Sequence, residues 1–208
     1  MSNTKQVRIP LLVGIGVIAA AVPFALLIGE SDGAEVKFDA LNATFNVECE
    51  DHHEPTYDFD DVNPLTFSDG VWDTPPPYES QLDLRYVEVV EQVVAEVVED
   101  SPGPEVVVDL NCSISNIYLG NEVHVFAGNS REARRLGEPV PGTIERVHGH
   151  VGGMEWGFTG FVSTRVWEHD VNDAGCCPSR YVIVERRWKG GEWEESEREV
   201  WERTEWER

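Results

Sequence analysis

Four cysteines are the first residues of this chain whose type and spacing could carry chemistry: Cys49, Cys112, Cys176 and Cys177. In an oxidising compartment such cysteines are expected to be disulfide-bonded. Three pairings are open. A bridge between the adjacent Cys176 and Cys177 would close a strained ring, so we expect these two to bond to Cys112 and Cys49 instead. Each bridge would then close a loop of roughly 60 to over 120 residues and staple the fold.

An alternative use of the adjacent cysteines is redox chemistry, with Cys176 and Cys177 cycling between dithiol and disulfide. Such a role needs a lowered thiol pKa, which the N-terminus of a helix or a nearby cation provides. No helix is predicted to begin beside this pair, which lies in a turn-rich loop with Gly175 and Pro178. We therefore favour the structural role and keep a thiol redox protein as the alternative.

Histidines offer a second candidate chemistry. His148 and His150 lie two residues apart in a predicted strand, so both side chains leave the same face, a spacing that metal sites use. The chain has no HExxH or CxxC motif. We predict no dedicated metal site, with weak divalent-metal binding as the alternative. The other histidines are scattered along the chain: His52, His53, His124 and His169.

Catalytic motifs are absent from the sequence. It contains no Gly-x-Ser-x-Gly elbow, no P-loop and no glycine-rich dinucleotide turn. Carboxylates are so abundant that any two of them could be named an acid and a base, which gives no specific signal. We predict that the protein is not an enzyme, with no catalytic residues and no cofactor.

The charge balance restricts the partners. Lysine and arginine number 16 against 39 acidic residues, a net charge of -23. Such a chain repels phosphate backbones, so nucleic acid is not expected as a partner. The acidic residues are spread along the sequence, which indicates a solvated acidic surface suited to a salty medium.

The N-terminal segment predicts a membrane anchor. Residues 1–8 include Lys5 and Arg8, and residues 9–29 are uncharged and almost wholly apolar. That length suffices for a transmembrane helix, and the flanking charges place the N-terminus in the cytoplasm and the C-terminal domain outside. We expect a single-pass signal anchor in the cell membrane. Secretion after signal-peptide cleavage is the alternative.

The rest of the chain predicts an α+β domain. Residues 30–79 are expected to form an acidic, proline-containing linker. Apolar residues at steps of three and four over residues 80–100 predict an amphipathic helix. Later apolar runs predict an antiparallel, meander-like β-sheet onto which that helix packs, giving a disulfide-stapled domain over residues 80–193. Residues 194–208 are expected to be an acidic tail with tryptophans, which either packs on the domain or stays exposed.

The C-terminal half, residues 106–193, resembles the LppP/LprE family of actinobacterial cell-envelope lipoproteins. Three groups of residues carry the resemblance: Leu110-Asn111-Cys112; Val123-His124-Val125-Phe126 leading to Leu136-Gly137; and Asp173-Ala174-Gly175-Cys176-Cys177-Pro178-Ser179 followed by the stretch Val182 to Trp188 and Gly190-Gly191. The chain lacks the lipobox cysteine of that family. The resemblance implies an exported protein without a defined activity. We therefore expect a membrane-anchored, extracytoplasmic binding or structural module of the cell envelope, whose partner is an unknown envelope protein or ligand.

Overall fold

The computed structural model describes residues 35–49, 59, 62–73, 84–114, 117–149, 160–168 and 178–202. Within these ranges the regular structure is one short 3-10 helix, Ala40–Asn42, and eleven strands. The strands are β1 (Thr44–Phe45), β2 (Leu65–Thr66), β3 (Val71–Asp73), β4 (Arg85–Ala95), β5 (Glu105–Ile114), β6 (Ile117–Ala127), β7 (Val140–Pro141), β8 (Thr143–His148), β9 (Phe161–Glu168), β10 (Arg180–Lys189) and β11 (Glu192–Glu202).

The strands form three antiparallel sheets. A five-stranded sheet has the order β3-β4-β5-β6-β7, a four-stranded sheet has the order β11-β10-β9-β8, and β1 pairs with β2. Neighbours in each larger sheet are also neighbours in the chain, so both are meanders. The β10–β11 hairpin turns at Gly190 and Gly191, whose φ angles of 64° and 99° are those of a tight two-residue turn.

The five-stranded sheet is buried on both faces. Val106, Val107 and Val108 follow one another in β5 and are each 0% exposed. Successive side chains of a strand point to opposite faces, so each face of β5 meets a hydrophobic core. The molecule therefore has three layers, with this sheet in the middle.

The first core lies between the five-stranded sheet and the segment that holds β1 and β2. Phe126 of β6 contacts Phe38 and Phe45, with ring centroids 4.6 and 5.0 Å apart. Leu65 on β2 and Leu110 on β5 are fully buried in the same core. Residues that the sequence predicted to be part of a linker, within 30–79, thus contribute β1 to β3 and much of this core.

The second core lies between the other face of the five-stranded sheet and the four-stranded sheet. Val107 and Val123 from the first sheet meet Val162 from the second. At one side of this core, Trp188 and Trp193 face each other across the β10–β11 hairpin with ring centroids 5.1 Å apart. The acidic tail predicted to start at residue 194 therefore begins inside β11.

The predicted amphipathic helix over residues 80–100 is wrong, because its described part forms β4. The pairing of β4 with β5 skips a residue between Val89 and Glu91, so Val90 forms a β-bulge. Before the bulge Val87 and Val89 face the first core, and after it Val93 and Ala95 face the second. Because β4 packs against two cores and contains one inserted residue, its apolar residues are spaced three and four apart, as they would be in a helix.

The predicted α+β fold class is wrong for the same reason. No α-helix occurs in the part of the chain that the structure describes, and the layers are built from antiparallel strands. Valine dominates β4, and its branched Cβ favours extended backbone over helix. In this segment the β-propensity of valine indicated the strand correctly, and the spacing of the apolar residues indicated a helix wrongly.

The predicted single-pass membrane topology is also corrected. No helix in the described ranges is long and apolar enough to cross a membrane. Residues 9–29, on which that prediction depended, lie outside the described residues.

Candidate functional site

Cys49 and Cys112 form a disulfide that ties the segment after β1 to the middle strand of the five-stranded sheet. Their Cα atoms are 5.8 Å apart, and both residues are buried in the first core. The prediction that these two cysteines pair with Cys177 and Cys176 is therefore wrong. Cys176 and Cys177 lie outside the described residues, so redox chemistry at that pair stays an untested alternative.

Glu122 and His124 form a buried pair beside this disulfide. They are two residues apart in β6, so both side chains point to the first core. His124 Nε2 is 2.5 Å from Glu122 Oε1. The two carboxylate oxygens also accept the backbone N–H groups of Glu48, at 3.0 Å, and Cys49, at 2.8 Å. The carboxylate thus holds the disulfide-bearing segment against β6.

Two effects act on the carboxyl of Glu122. Burial raises its pKa, but His124 attracts and hydrogen-bonds the charged form, and two backbone N–H groups donate to it. Together these contacts prevail and hold the pKa of Glu122 below its ordinary value. An ionised carboxylate with this many fixed donors in a core serves the fold.

Metal binding at this cluster conflicts with the disulfide. Cys49, Cys112 and Glu122 are the one group of metal-ligating side chains that comes together among the residues described, with ligand atoms within 4.8 Å of one another. Thiolates are the metal-binding form of cysteine, and here both sulfur atoms are bonded to each other. The arrangement is therefore a structural staple.

The predicted histidine pair is only partly described. His148 is exposed at the end of β8 and stacks on Phe161, with ring centroids 5.1 Å apart. His150, like the scattered His52, His53 and His169, lies outside the described residues. Weak divalent-metal binding by His148 and His150 stays an untested alternative.

Two further buried carboxylates also bond within the fold. Asp109 on β5 accepts hydrogen bonds from Asn121 at 2.7 Å, from the Thr143 hydroxyl at 2.8 Å and from the Ile144 N–H at 2.9 Å. Glu105 accepts the N–H groups of Val97 and Val98, at 2.8 and 3.2 Å. Burial raises the pKa of both carboxyls. Asp109 joins the two large sheets, and Glu105 fixes the turn after β4.

The exposed feature with a defined geometry is a row of aromatic side chains on the four-stranded sheet. Tyr181 on β10 lies directly opposite Trp167 on β9 and Trp201 on β11. Its ring centroid is 5.2 Å from that of Trp167 and 6.2 Å from that of Trp201. Trp167 is 43% exposed and Trp201 is 44% exposed. We call Trp167, Tyr181 and Trp201 the aromatic row.

The aromatic row lies on the outer face of its sheet. Alternation along β9 places Trp167 on the face opposite Val162, which is buried in the second core. The Arg165 guanidinium lies 4.9 Å from the centroid of the Tyr181 ring and pairs with Glu145 at 2.5 Å. A cation thus already rests on the central ring, while the two tryptophans at its sides remain partly exposed.

Sequence reasoning missed the aromatic row because the row exists only in the strand register. Trp167 and Tyr181 belong to runs that were predicted as strands, and Trp201 belonged to a predicted tail. Their alignment depends on which residues face one another across β9, β10 and β11. The one signal in the sequence was the tight Gly190-Gly191 turn, which fixes the register of the last hairpin.

No family model, curated protein or solved structure matches this chain. The resemblance to the LppP/LprE family stays a prediction.

Proposed function

We propose that the protein is a binding module that engages a protein partner through the aromatic row. The observation that carries this proposal is the in-register alignment of Trp167, Tyr181 and Trp201 on a face turned away from the second core. Tryptophan and tyrosine are the residues that most often dominate the affinity of protein interfaces. The four-stranded sheet covers the second core with its other face, so the row is not needed to cover that core.

The buried polar groups support a binding role over catalysis. Glu105, Asp109 and Glu122 all accept hydrogen bonds from within the fold and hold its layers together. A disulfide in the first core favours a protein that works where thiols are oxidised. That agrees with the cell-envelope role that the family resemblance implies.

Site-specific photo-cross-linking in the producing cells tests the proposal. Tyr181 is replaced by p-azidophenylalanine, which keeps the aromatic ring in the middle of the row. A discrete cross-linked protein is expected, and it should disappear when Trp167→Ala and Trp201→Ala are added. The control carries the same replacement at Tyr118, an exposed tyrosine on the five-stranded sheet. The absence of a discrete product at position 181, or the same products at positions 181 and 118, would overturn the proposal.

A further inference from the structure

The edge strand β11 is the outermost strand of the four-stranded sheet and runs over eleven residues. It pairs with β10 on one side, and no other described strand pairs with its second side. Half of the backbone N–H and C=O groups of an edge strand point outward and can pair with a further strand. This edge ends beside the aromatic row, because Trp201 belongs to both.

Side chains on both faces of β11 are left uncovered at its C-terminal end. Val200 is 56% exposed and Trp201 is 44% exposed, and as neighbours in a strand they point to opposite faces. A strand added to this edge would cover both at once. An isolated ligand on one face of the sheet would cover only one.

The charges along the edge indicate the chemistry of the added strand. Five cations of β9, β10 and β11 are already in ion pairs: Arg165 with Glu145, Arg180 and Arg198 with Glu168, Arg187 with Glu185, and Lys189 with Glu194. Glu197 and Glu199 are exposed and form no ion pair within the described chain. They alternate with Trp201 on the outer face, so carboxylate, carboxylate and indole follow one another along the edge.

We propose that β11 binds an extended basic segment of a partner protein by strand addition; this inference rests on the proposed function and specifies the partner. Lysine or arginine side chains at alternate positions would lie opposite Glu197 and Glu199, and a third cation would lie over the Trp201 indole. An apolar side chain between them would cover Val200. The partner's backbone supplies affinity, and the alternation of basic and apolar residues supplies specificity.

A second copy of this chain fits the edge poorly. Six glutamates occupy β11: Glu192, Glu194, Glu195, Glu197, Glu199 and Glu202. Pairing two such strands would bring carboxylates opposite or diagonal to one another, and like charges facing across strands are destabilising. The same charges that exclude self-association therefore favour a basic strand.

Peptide binding to the whole purified protein tests this inference. The probe is the capped peptide Lys-Val-Lys-Val-Lys-Val, compared with a block peptide of the same composition, Lys-Lys-Lys-Val-Val-Val. Binding is measured at about 0.1 M salt by calorimetry. The alternating peptide is expected to bind at least about tenfold more tightly than the block peptide, because only alternation matches the two faces of a strand. Equal affinities would show simple charge attraction and overturn the inference.

Two double variants distinguish binding at the edge of β11 from general attraction to the negative charge of the protein. Glu197→Gln with Glu199→Gln should weaken binding of the alternating peptide about tenfold, since each cross-strand charge pair contributes severalfold. The control, Glu35→Gln with Asp69→Asn, removes the same charge from two exposed positions in the segment that packs on the first core, on the other face of the five-stranded sheet, and should change the affinity less than about twofold. Similar losses in both variants would contradict a site at the edge.

A blocked peptide separates strand addition from side-chain contacts. Methylation of the backbone nitrogen on alternate residues removes the N–H donors of one edge and keeps every side chain. Two peptides are compared, each methylated along one of its two edges. Only the peptide whose methylated edge would face β11 should lose binding. If both bind as the parent does, strand addition is wrong.

The two proposals fail separately. A cross-link at position 181 together with equal affinities of the alternating and block peptides would leave the binding module standing and remove the basic strand. Specific peptide binding without any cross-link would support the edge site and contradict the aromatic row as the recognition surface.

Discussion

At the scale of single residues, two buried glutamates have opposite electrostatic roles. Contacts with His124 and two backbone N–H groups lower the pKa of Glu122. Glu105 has a raised pKa, because the desolvation caused by burial outweighs its backbone hydrogen bonds. One charge therefore stabilises the fold, and the other is held at a cost.

Replacing Glu122 by Gln should destabilise the protein by about 2 to 4 kcal/mol at pH 7, because the partners of a buried charge are left unsatisfied. Glu132→Gln, which removes an exposed charge, should change stability by less than about 0.5 kcal/mol. Urea unfolding measures both. Because the folded pKa is lowered, the loss should shrink as the pH falls below the ordinary carboxyl value of about 4.3 and through the folded pKa. A loss that is the same at all pH values would contradict the charged role of Glu122.

Replacing Glu105 by Gln should have the opposite pH dependence. The folded pKa is raised, so at pH values between the ordinary and folded values the folded state holds a proton that the unfolded chain has lost. The stability that Glu105 contributes is full below about pH 4.3 and declines as the pH rises toward the folded pKa. Relative to wild type, Glu105→Gln should gain stability from pH 4 to pH 7 in urea titrations. A difference that does not change with pH would show that the carboxyl is not desolvated.

The cysteines show what the sequence can say about single residues and what it cannot. The sequence predicted that Cys49 and Cys112 are both disulfide-bonded, but it paired each of them with a loop cysteine. The actual partner is set by the first core, where Glu122 fixes the Cys49 backbone against the face of β5 and β6 that holds Cys112. A contact between residues 63 positions apart depends on packing that spacing alone does not encode.

At the scale of elements, valine substitutions in β4 distinguish the observed strand from the predicted helix. The strand places Val87 in the first core at 0% exposure and leaves Val90 54% exposed at the bulge. Val87→Ala should therefore cost about 2 kcal/mol, and Val90→Ala should cost less than about 0.5 kcal/mol. In a helix, the apolar face formed by Tyr86, Val89, Val90, Val93 and Val94 would bury Val90 and leave Val87 outside it. Urea unfolding that gave the reverse order would restore the helix.

β5, β6, β8, β9 and β10 were predictable because each coincides with an apolar run bounded by turn residues. β5 is a continuous apolar run bounded by Pro104, which suits a strand buried on both faces. β10 and β11 flank a Gly-Gly turn. β4 was not predictable because a bulge changes which residues face each core, and β1 to β3 were missed because two or three residues are too short for any periodicity.

At the scale of the whole molecule, the disulfide joins the N-terminal layer to the middle sheet. In the chain-entropy model, closing a loop of this length contributes about 4 kcal/mol. Cys49→Ala with Cys112→Ala should therefore lower the free energy of unfolding by about 2 to 4 kcal/mol. Non-reducing digestion and mass spectrometry should show a linked peptide that contains Cys49 and Cys112. A link from either residue to Cys176 or Cys177 would contradict this architecture.

The net charge of -23 predicts how the whole fold responds to salt. Carboxylates outnumber cations more than twofold, and compact folding brings them closer together, so their repulsion opposes folding. Raising the salt concentration from 0.1 to 1 M shortens the screening length from about 10 to about 3 Å, which should raise the urea midpoint steadily at pH 7. The control is the same titration near the isoelectric point of about 4.4, where the net charge vanishes and the rise should be much smaller. If the urea midpoint rises equally at both pH values, the cause is salt exclusion from apolar surface, because screening of charge repulsion requires a net charge.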